Sequence, residues 1–314
     1  MKRALVIGHR GQDGTLLCQF LSGLGYEVFG IGRSAVWSNT NTAIGAIPRI
    51  TELEDVAQVV REVAPDEIYY LAAYHRSSQG YELSDPRMDY LHAHQTNVLG
   101  LINFLESIRL WTPSTRLFYA SSSLIFSGTE HGMQNEVTSI LPQGNYGITK
   151  AEGTWLCREY RQRHGVFASV GILYNHESHL RPPGFVSRKI IDGAIGIHRG
   201  QQQVLEIGNL TSVVDWSHAK DFVRAFHAIL QSPMADEFVV SSGVAHSIKD
   251  FVNEAFATVG LDWRDKVTIK PDLITRASTT RIGDSSKLRR TTGWTPQYGF
   301  SDMIKEIVTV LEKT

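Results

Sequence analysis

A tyrosine and a lysine four residues apart have the types and the spacing that proton transfer requires. The segment Tyr146-Gly147-Ile148-Thr149-Lys150 has a helical pattern, so both side chains fall on one helix face. An ammonium beside a phenol favours phenolate, and the spacing therefore predicts that Lys150 lowers the pKa of Tyr146 toward neutrality. Such a tyrosine can pass a proton to or from a substrate oxygen. The alternative is a packed tyrosine beside a surface lysine.

Three consecutive serines, Ser121-Ser122-Ser123, follow a predicted strand over residues 116–120. In open α/β sheets, ligands bind beyond the carboxyl ends of the strands. A serine hydroxyl placed there can share the hydrogen bonding of the oxygen that Tyr146 protonates. The strand end and the Tyr-x-x-x-Lys helix together indicate one acid–base site.

A glycine-rich turn, Gly8-His9-Arg10-Gly11-Gln12-Asp13-Gly14, follows the first predicted strand and begins a helix. Glycines allow a tight turn and let backbone N–H groups approach a pyrophosphate at a helix N-terminus. The strand–turn–helix context predicts dinucleotide binding, with an ordinary glycine turn as the alternative. A nicotinamide bound there would exchange hydride with a carbon while Tyr146 handles the proton at its oxygen.

The residues after the second predicted strand distinguish two cofactors. An acidic residue there binds the ribose hydroxyls of NAD, whereas an arginine accommodates a 2′-phosphate. The chain has Gly32-Arg33-Ser34 at this position, with no acidic residue before Glu52. Arg33 therefore favours NADP(H) over NAD(H), with a solvated surface arginine as the alternative.

The elements that position these residues alternate along the first 170 residues. Strands are predicted over 4–7, 27–31, 67–71, 116–120 and 167–173, with helices over 14–24, 54–63, 89–108 and 146–165. Alternating strands and helices predict an α/β fold, a Rossmann-like doubly wound parallel sheet. We expect a dinucleotide-binding domain over residues 1–174 and a smaller α/β substrate lobe over 175–314, partly woven back into the sheet.

Composition sets the class of protein. The 314 residues are 42% hydrophobic and 20% charged with a formal net charge of −1, which describes an ordinary globular protein and favours neither nucleic acid nor membrane as a partner. No run reaches the length of a membrane span or a signal-peptide core, so a cytoplasmic location is expected. Cys18 and Cys157 are expected to be buried thiols in a reducing compartment. No metal site is predicted.

The order of these motifs resembles the extended short-chain dehydrogenase/reductase family. Segments of the second half narrow the resemblance to GDP-mannose 4,6-dehydratases: Tyr174-Asn175-His176-Glu177-Ser178, Phe185-Val186-Ser187-Arg188-Lys189-Ile190, Gly208-Asn209-Leu210, Asp215-Trp216-Ser217-His218-Ala219-Lys220-Asp221, Gly283-Asp284 and Gly293-Trp294-Thr295-Pro296. The resemblance spans nearly the whole chain. It implies a nucleotide-diphosphate sugar as substrate and a homodimer or higher homo-oligomer.

Individual positions follow from the motifs and the resemblance together. The predicted catalytic residues are Ser122, at the position of the dehydratase threonine, Tyr146 and Lys150. The predicted cofactor contacts are Gly8, Gly11, Gln12, Asp13, Gly14, Arg33, Ser34, Ile50, Leu71, Ala72, Ala73, His75, Tyr146, Lys150, His176 and Arg181. The predicted substrate contacts are His75, Ser123, Asn175, Lys189, Arg276 and Arg281. A satisfied buried histidine is the alternative for His176, and a solvated helix charge is the alternative for Lys189.

The chain departs from the dehydratase pattern at the residue that matters most for elimination. The family places a glutamate two residues beyond its threonine, as the base that removes the C5 proton, and this chain has Leu124 there. An aliphatic side chain cannot transfer a proton. His75 is a candidate for a replacement base, and a packing or hydrogen-bonding histidine is the alternative.

Two further departures concern charge. The basic pair expected before Asp215 is Val213-Val214, and Arg49 stands where an acidic residue near the adenine is expected. Because a buried diphosphate needs cationic or N–H partners, its neutralisation would fall to Arg181, Arg276 or Arg281.

Three functions are compatible with the sequence. The first is hydride transfer at a sugar carbon, C4, by a keto-sugar reductase, a dehydrogenase or an epimerase, and it needs only residues that are present. The second is a 4,6-dehydratase with a relocated base. The third is a nucleotide-binding relative that has lost turnover, against which the retained Tyr146 and Lys150 argue. The sequence favours the first.

Overall fold

A computed structural model describes residues 1–33, 36–40, 42, 48–75, 85–128, 132–273 and 280–313. The strands in these ranges are β1 (Arg3–Ile7), β2 (Glu27–Ile31), β3 (Val36–Ser38), β4 (Glu67–Tyr70), β5 (Arg116–Ser122), β6 (Ala168–Leu173), β7 (Asn175–Glu177), β8 (Leu205–Ile207), β9 (Val213–His218), β10 (Glu237–Val240), β11 (Ala245–Ser247) and β12 (Val267–Ile269). The helices are α1 (Gln12–Gly23), α2 (Leu53–Val63), α3 (Pro86–His94), α4 (Gly100–Trp111), α5 (Gly144–His164), α6 (Val186–His198), α7 (Ala219–Gln231), α8 (Ile248–Thr258), α9 (Ser286–Thr292) and α10 (Phe300–Glu312).

The large sheet has the order β10-β6-β5-β4-β1-β2-β3, and every neighbouring pair is parallel except β2 and β3. Strands β1, β4 and β6 are buried almost throughout, as expected for a parallel sheet with helices on both faces. The predicted Rossmann-like α/β fold is confirmed. The antiparallel edge strand β3 is an addition that the sequence pattern did not predict.

The sequence predicts one continuous helix over residues 89–108, and this prediction is wrong. Helices α3 and α4 are separated by a π-helical turn, Gln95–Leu99. The Tyr70 hydroxyl donates to the Thr96 carbonyl at 2.5 Å inside this turn, and Gly100 leaves room for that hydroxyl. Such π-turns are frequent at functional sites, and this one lies beside the end of β4.

The second half of the chain divides its elements between two buried clusters. Strand β10 pairs with β6 at the edge of the large sheet, and helix α7 packs against α1 in the same hydrophobic core. Helices α6, α8 and α10 enclose a second core that includes the buried Trp216 of β9, a strand of the small sheet β11-β9-β7. The predicted domain division at residue 174 stays a prediction.

Two general features follow from this packing. Cys18 and Cys157 are buried and free of disulfide bonds, and burial raises the pKa of the Cys18 thiol to about 12. Among the described helices, none combines the length and the apolar character that crossing a membrane requires.

Candidate active site

A cavity of about 430 Å³ opens at the carboxyl ends of β4, β5 and β6. This is the sheet edge at which open α/β folds bind ligands. Predicted residues that line it are Asp13, Leu71, Ala73, His75, Ser122, Ser123, Tyr146, Lys150, Asn175, His176, Arg181 and Arg281. The fold therefore brings the residues predicted to be catalytic, and most of the side chains predicted for cofactor and substrate, together around one space.

Helix α5 carries Tyr146 and Lys150 into this cavity. Lys150 is almost fully buried, and its ammonium donates to the carbonyl of Ala120 at 2.7 Å, which ties α5 to β5. The Lys150 nitrogen lies 5.6 Å from the centre of the Tyr146 ring. Gly147 lets α5 approach the 3₁₀ turn Ser123–Ile125, because a Cβ there would meet the Leu124 carbonyl oxygen at 2.5 Å.

The expected lowering of the Tyr146 pKa by Lys150 is wrong for the protein without ligands. Burial raises the pKa of Tyr146 to about 12, against the opposing effects of Arg181 and of a hydrogen bond with Ser122. Burial also lowers the pKa of Lys150 to about 7. The physical reason is desolvation, which disfavours the charged forms of both side chains.

The three serines at the end of β5 have different surroundings. Ser121 turns toward α5, and its hydroxyl lies 2.8 Å from the Thr154 hydroxyl. Ser122 caps the following 3₁₀ turn by accepting from the backbone N–H of Leu124 at 3.2 Å. Ser122 and Ser123 both line the cavity, and the half-buried Leu124 lies beside them in the same wall. Ser122 is therefore the serine that stands beside Tyr146.

The glycine turn after β1 has the shape that a dinucleotide phosphate requires. Gly8 has φ +93°, and a Cβ on it would lie 2.9 Å from the backbone nitrogen of Ala72. At Gly11 a Cβ would contact only the Gly8 carbonyl oxygen, at 3.4 Å, so the space in front of this residue is open. Gly11 is also the N-cap of α1 and gives the first turn no side-chain cap. Open N–H groups at a helix start fit a pyrophosphate.

Asp13 and His176 connect the start of α1 to β7. The Nε2 of His176 lies 2.9 Å from the Asp13 carboxylate, and its Nδ1 lies 2.7 Å from the Tyr174 carbonyl. Burial acts to raise the pKa of Asp13, but His176 and other partners lower it overall. Gln12 adds bonds to the His176 carbonyl and to the Ser178 hydroxyl. This network holds the cavity wall against the glycine turn.

Two further side chains, Arg181 and His75, also line the cavity. Arg181 lies 3.0 Å from the Glu177 carboxylate, and its guanidinium stacks over the Phe185 ring at 3.7 Å. The His75 ring is 4.5 Å from the Tyr146 ring and nearly perpendicular to it, and it stacks with Phe185 at 6.0 Å. His75 is thus a titratable side chain that contacts Tyr146 from the segment after β4.

Several predicted residues lie outside the cavity wall. Gly8, Gly11, Gln12, Gly14 and Ala72 surround the glycine turn, and Arg33 is exposed just after β2. The Ile50 carbonyl accepts from Asn103 at 2.9 Å, and Lys189 is half-buried on α6. Ser34 and Arg276 fall outside the described residues. No group of metal-ligating side chains occurs in the described part of the chain.

The cavity also has lining residues that were not predicted as site residues: Ala120, Ser121, Leu124, Leu173, Tyr174, Phe185, Val213, Val214 and Asp215. Phe185 is the N-cap of α6, and Val213, Val214 and Asp215 belong to β9, so these four residues come from the second half of the chain. In the sequence, the segments that resemble the dehydratase family were the only indication that residues of this second half belong near the site.

A comparison with known proteins agrees with this geometry. The sequence matches the family model described as GDP-mannose 4,6 dehydratase over residues 5–307. The chain belongs to this family. GDP-mannose 4,6 dehydratase 2 of Arabidopsis thaliana is 33% identical over 323 residues, which cover 98% of this chain and 86% of that protein. GDP-mannose 4,6-dehydratase of Vibrio cholerae is 31% identical over 351 residues, covering 98% and 93%.

Solved structures share the fold of this family member. RMD from Pseudomonas aeruginosa, complexed with NADPH, superposes with a TM-score of 0.84 at 18% identity and covers 100% of this chain and 99% of that one. UDP-glucose 4-epimerase of Thermus thermophilus, complexed with NAD, gives 0.80 at 22% identity with 98% of each chain covered. The fold is therefore that of the extended short-chain dehydrogenase/reductase epimerases and dehydratases.

Proposed function

We propose that this chain is an NADP(H)-dependent oxidoreductase that acts at C4 of a GDP-sugar without eliminating water between C5 and C6. The observation that carries the proposal is Leu124. This aliphatic side chain lines the cavity beside Ser122 and Ser123, at the position where the dehydratase resemblance places the base. Hydride and proton exchange at C4 needs no group at that position.

The roles of the chain's own residues follow from their positions. Tyr146 transfers the proton to or from the C4 oxygen, and the Ser122 hydroxyl shares the hydrogen bonding of that oxygen. Lys150 anchors α5 to β5 through the Ala120 carbonyl and places its nitrogen near the tyrosine ring. Bound NADP(H) supplies hydride exchange at the reacting carbon.

The protonation of the site favours reduction of a keto-sugar. With its pKa raised to about 12 by burial, Tyr146 carries its proton at neutral pH. A protonated phenol can donate to a carbonyl oxygen as that carbonyl is reduced, whereas oxidation of a hydroxyl requires the phenolate first. Reduction of a keto-sugar is therefore the C4 reaction to test first.

The choice of NADP(H) rests on the residues around the dinucleotide turn. Arg33 is exposed directly after β2, where a 2′-phosphate is accommodated in this fold. Between β1 and β2 the backbone N–H of Gly8 donates to the Ile31 carbonyl at 2.8 Å, so the glycine turn and the end of β2 are adjacent. A cofactor that contacts the glycine turn would reach Arg33.

One observation favours a second candidate function, a 4,6-dehydratase with a relocated base. His75 lines the cavity and contacts the Tyr146 ring at 4.5 Å. An imidazole in this position is able to accept a proton. Membership of the GDP-mannose 4,6-dehydratase family is compatible with this candidate.

The test offers GDP-4-keto-hexoses to the purified enzyme with NADPH or with NADH. We expect oxidation of NADPH and formation of the C4 hydroxyl sugar, with slower turnover of NADH. Dehydration of GDP-mannose that is lost in His75→Asn would favour the second candidate. Bound cofactor that no nucleotide sugar oxidises or reduces would make the chain a nucleotide-binding relative without turnover.

A further inference from the structure

A second cavity, of about 450 Å³, lies outside the candidate active site. The segment 136–140 lines it, and the other lining residues are Trp155 and Arg158 of α5, Ile172 of β6, Glu237 of β10 and Phe126. None of these residues lines the first cavity. Small-molecule sites in proteins enclose about 300 to 1,000 Å³, so this space is large enough for a ligand of its own.

Glu136 brings a carboxylate to this cavity. Its Oε1 accepts from the backbone N–H of Val239 at 2.8 Å and so caps the free edge of β10. Burial raises the pKa of Glu136, against the opposing effects of backbone N–H groups and of Lys287. Lys287 is itself paired with Asp236 at 2.6 Å. The negative charge of the half-buried Glu136 is therefore only partly compensated, and a cation in the cavity would stabilise it.

The other two charged side chains of the wall, Arg158 and Glu237, are paired with each other. Arg158 donates through Nε and Nη2 to the two Glu237 oxygens at 2.9 and 2.6 Å. Arg161, also on α5, donates to Glu237 at 3.0 Å. Bidentate arginine–carboxylate pairs are strong and fixed in geometry. Glu136 is therefore the lining charge that a ligand can meet without displacing an ion pair.

Trp155 adds an aromatic face to the same space. This residue of α5 is 48% exposed. Among aromatic side chains, tryptophan attracts a cation most strongly through the face of its ring. Thr138 and Ser139 add hydroxyls to the lining, and the buried Phe126 adds an apolar surface. A carboxylate, an indole and an apolar surface together match an ammonium group that is attached to a hydrocarbon body.

We propose that this second cavity binds a small organic ammonium ion, with Glu136 as the partner of the ammonium group and Trp155 in contact with the cation. The Glu136 carboxylate has two oxygens, so it can bind the ammonium while Oε1 keeps its bond to the N–H of Val239 and the sheet edge stays capped. The site is separate from the C4 chemistry, and this inference does not depend on the proposed function.

The first experiment separates charge from shape. Benzylamine and benzyl alcohol have the same ring and nearly the same size, but only benzylamine carries a positive charge at neutral pH. Calorimetry measures both Kd values, and we expect that of benzylamine to be at least about 10-fold lower, the effect of a charge-assisted hydrogen bond. NMR of protein with isotope-labelled tryptophan locates the ligand: the indole signal that moves should be the one missing from Trp155→Phe.

Glu136→Gln tests the carboxylate. The amide oxygen can still accept from the N–H of Val239, so the cap on β10 is kept. We expect the Kd of benzylamine to rise at least about 10-fold and that of benzyl alcohol to change less than about threefold. Glu159→Gln is the matched control, because this exposed acid of α5 pairs with Arg163 at 2.9 Å and does not line the cavity. Its loss should leave the Kd of benzylamine unchanged.

Trp155→Leu tests the indole. We expect it to raise the Kd of benzylamine about 3- to 30-fold, the range of a cation–π contact, and Trp155→Phe to raise it less because that variant keeps a ring. A melting temperature equal to that of the wild type controls for folding in both variants.

A fourth comparison identifies the source of the ammonium group. Butylamine and an acetylated tripeptide with a central lysine carry the same ammonium on the same alkyl chain. We expect the tripeptide to bind no more tightly than butylamine. Tighter binding of the tripeptide through Glu136 would identify a protein side chain as the occupant and overturn the assignment to a small molecule.

Three further results would overturn the inference: equal Kd values of benzylamine and benzyl alcohol, an unchanged benzylamine Kd in Glu136→Gln, or no movement of the Trp155 signal. These measurements involve no turnover, so they fail or succeed separately from the proposed function. A protein that binds benzylamine through Glu136 but performs no C4 redox would retain the second site and lose the proposed reaction.

Discussion

At the scale of single residues, the proposed reaction needs proton transfer at an oxygen and none at a carbon. Tyr146 and Ser122, which line the cavity together, are the groups proposed to act on the oxygen, and Leu124 in the same wall has no group that could take a proton from a carbon. His75 is the titratable neighbour that distinguishes the two candidate functions. Mutation can therefore distinguish the two reactions: C4 oxidoreduction requires Tyr146 but no base for a carbon, whereas dehydration also requires a base such as His75.

Removal of the Tyr146 hydroxyl tests the proton donor. Because general acid–base catalysis contributes about 100- to 10,000-fold, we expect Tyr146→Phe to lower kcat by that factor with a nearly unchanged Kd for NADPH. Tyr160→Phe is a matched control on the same helix, since its hydroxyl donates to Glu106 at 3.2 Å, away from the cavity. Full turnover in Tyr146→Phe would contradict the assignment.

A glutamate at position 124 tests whether the site is otherwise complete for elimination. A carboxylate in this wall would supply the missing base, so we expect Leu124→Glu to release water from GDP-mannose, measured by mass spectrometry of the product. Leu124→Gln places a side chain of nearly the same shape as glutamate at this position, but its amide cannot accept the proton, so this variant should not gain dehydration. Dehydration by the wild type at the rate of Leu124→Glu would show that Leu124 does not prevent it.

At the scale of elements, the turn after β1 and the end of β2 form the proposed dinucleotide subsite. Arg33 follows β2 in an exposed position, next to a glycine turn whose first residue bonds the last residue of that strand. We expect Arg33→Ala to raise the Kd of NADP⁺ about 10- to 100-fold and to leave the Kd of NAD⁺ unchanged, since only NADP⁺ has the 2′-phosphate. Fluorescence titration measures both.

Arg163→Ala provides the control for this prediction. Arg163 is exposed on α5 and pairs with Glu159 at 2.9 Å, so its loss removes a positive charge without removing the group after β2. Equal weakening of NADP⁺ and NAD⁺ by Arg33→Ala would speak against recognition of a 2′-phosphate.

The elements predictable from sequence were those with strong local patterns. Buried apolar runs predicted β1, β2, β4, β5 and β6, and glycines and helical periodicity predicted α1 and α5. The short antiparallel strand β3 has three residues and little pattern, so it was missed. The π-turn between α3 and α4 was missed because it involves a hydroxyl of β4, which is distant in sequence.

In the site, too, residues within strong local patterns were predictable and residues brought there by long-range packing were not. The residues of the serine, tyrosine and lysine motifs were predictable because each motif follows a recognisable strand or helix signal. Phe185, Val213 and Asp215 reach the cavity only through packing of the second half of the chain. The raised pKa of Tyr146 depends on burial in the complete fold, which spacing along one helix does not determine.

At the scale of the whole molecule, the buried Lys150 links the site to stability. Burial lowers its pKa from 10.5 to about 7, so between these values the unfolded chain binds a proton that the native protein lacks. Stability rises with pH wherever the unfolded state binds more protons. Lys150 therefore contributes an increase of up to about 1.4 kcal/mol per pH unit in the free energy of unfolding across this window.

Comparison with Lys150→Met isolates this contribution, because the other titrating groups are shared. We expect the stability of the wild type relative to Lys150→Met to increase from pH 7 to pH 10, measured by urea denaturation at each pH. Parallel pH profiles for the two proteins would contradict a lowered pKa of Lys150.

The homodimer implied by the resemblance stays a prediction.

The most direct measurement of the proposed C4 chemistry follows the sugar in deuterated water. GDP-mannose and GDP-4-keto-hexoses are incubated separately with the enzyme and NADP(H), and the products are analysed by mass spectrometry and NMR. We predict reduction of the keto-sugar by NADPH, no loss of water from GDP-mannose and no deuterium at C5. Water loss accompanied by deuterium at C5 would contradict the proposal and identify the chain as a dehydratase.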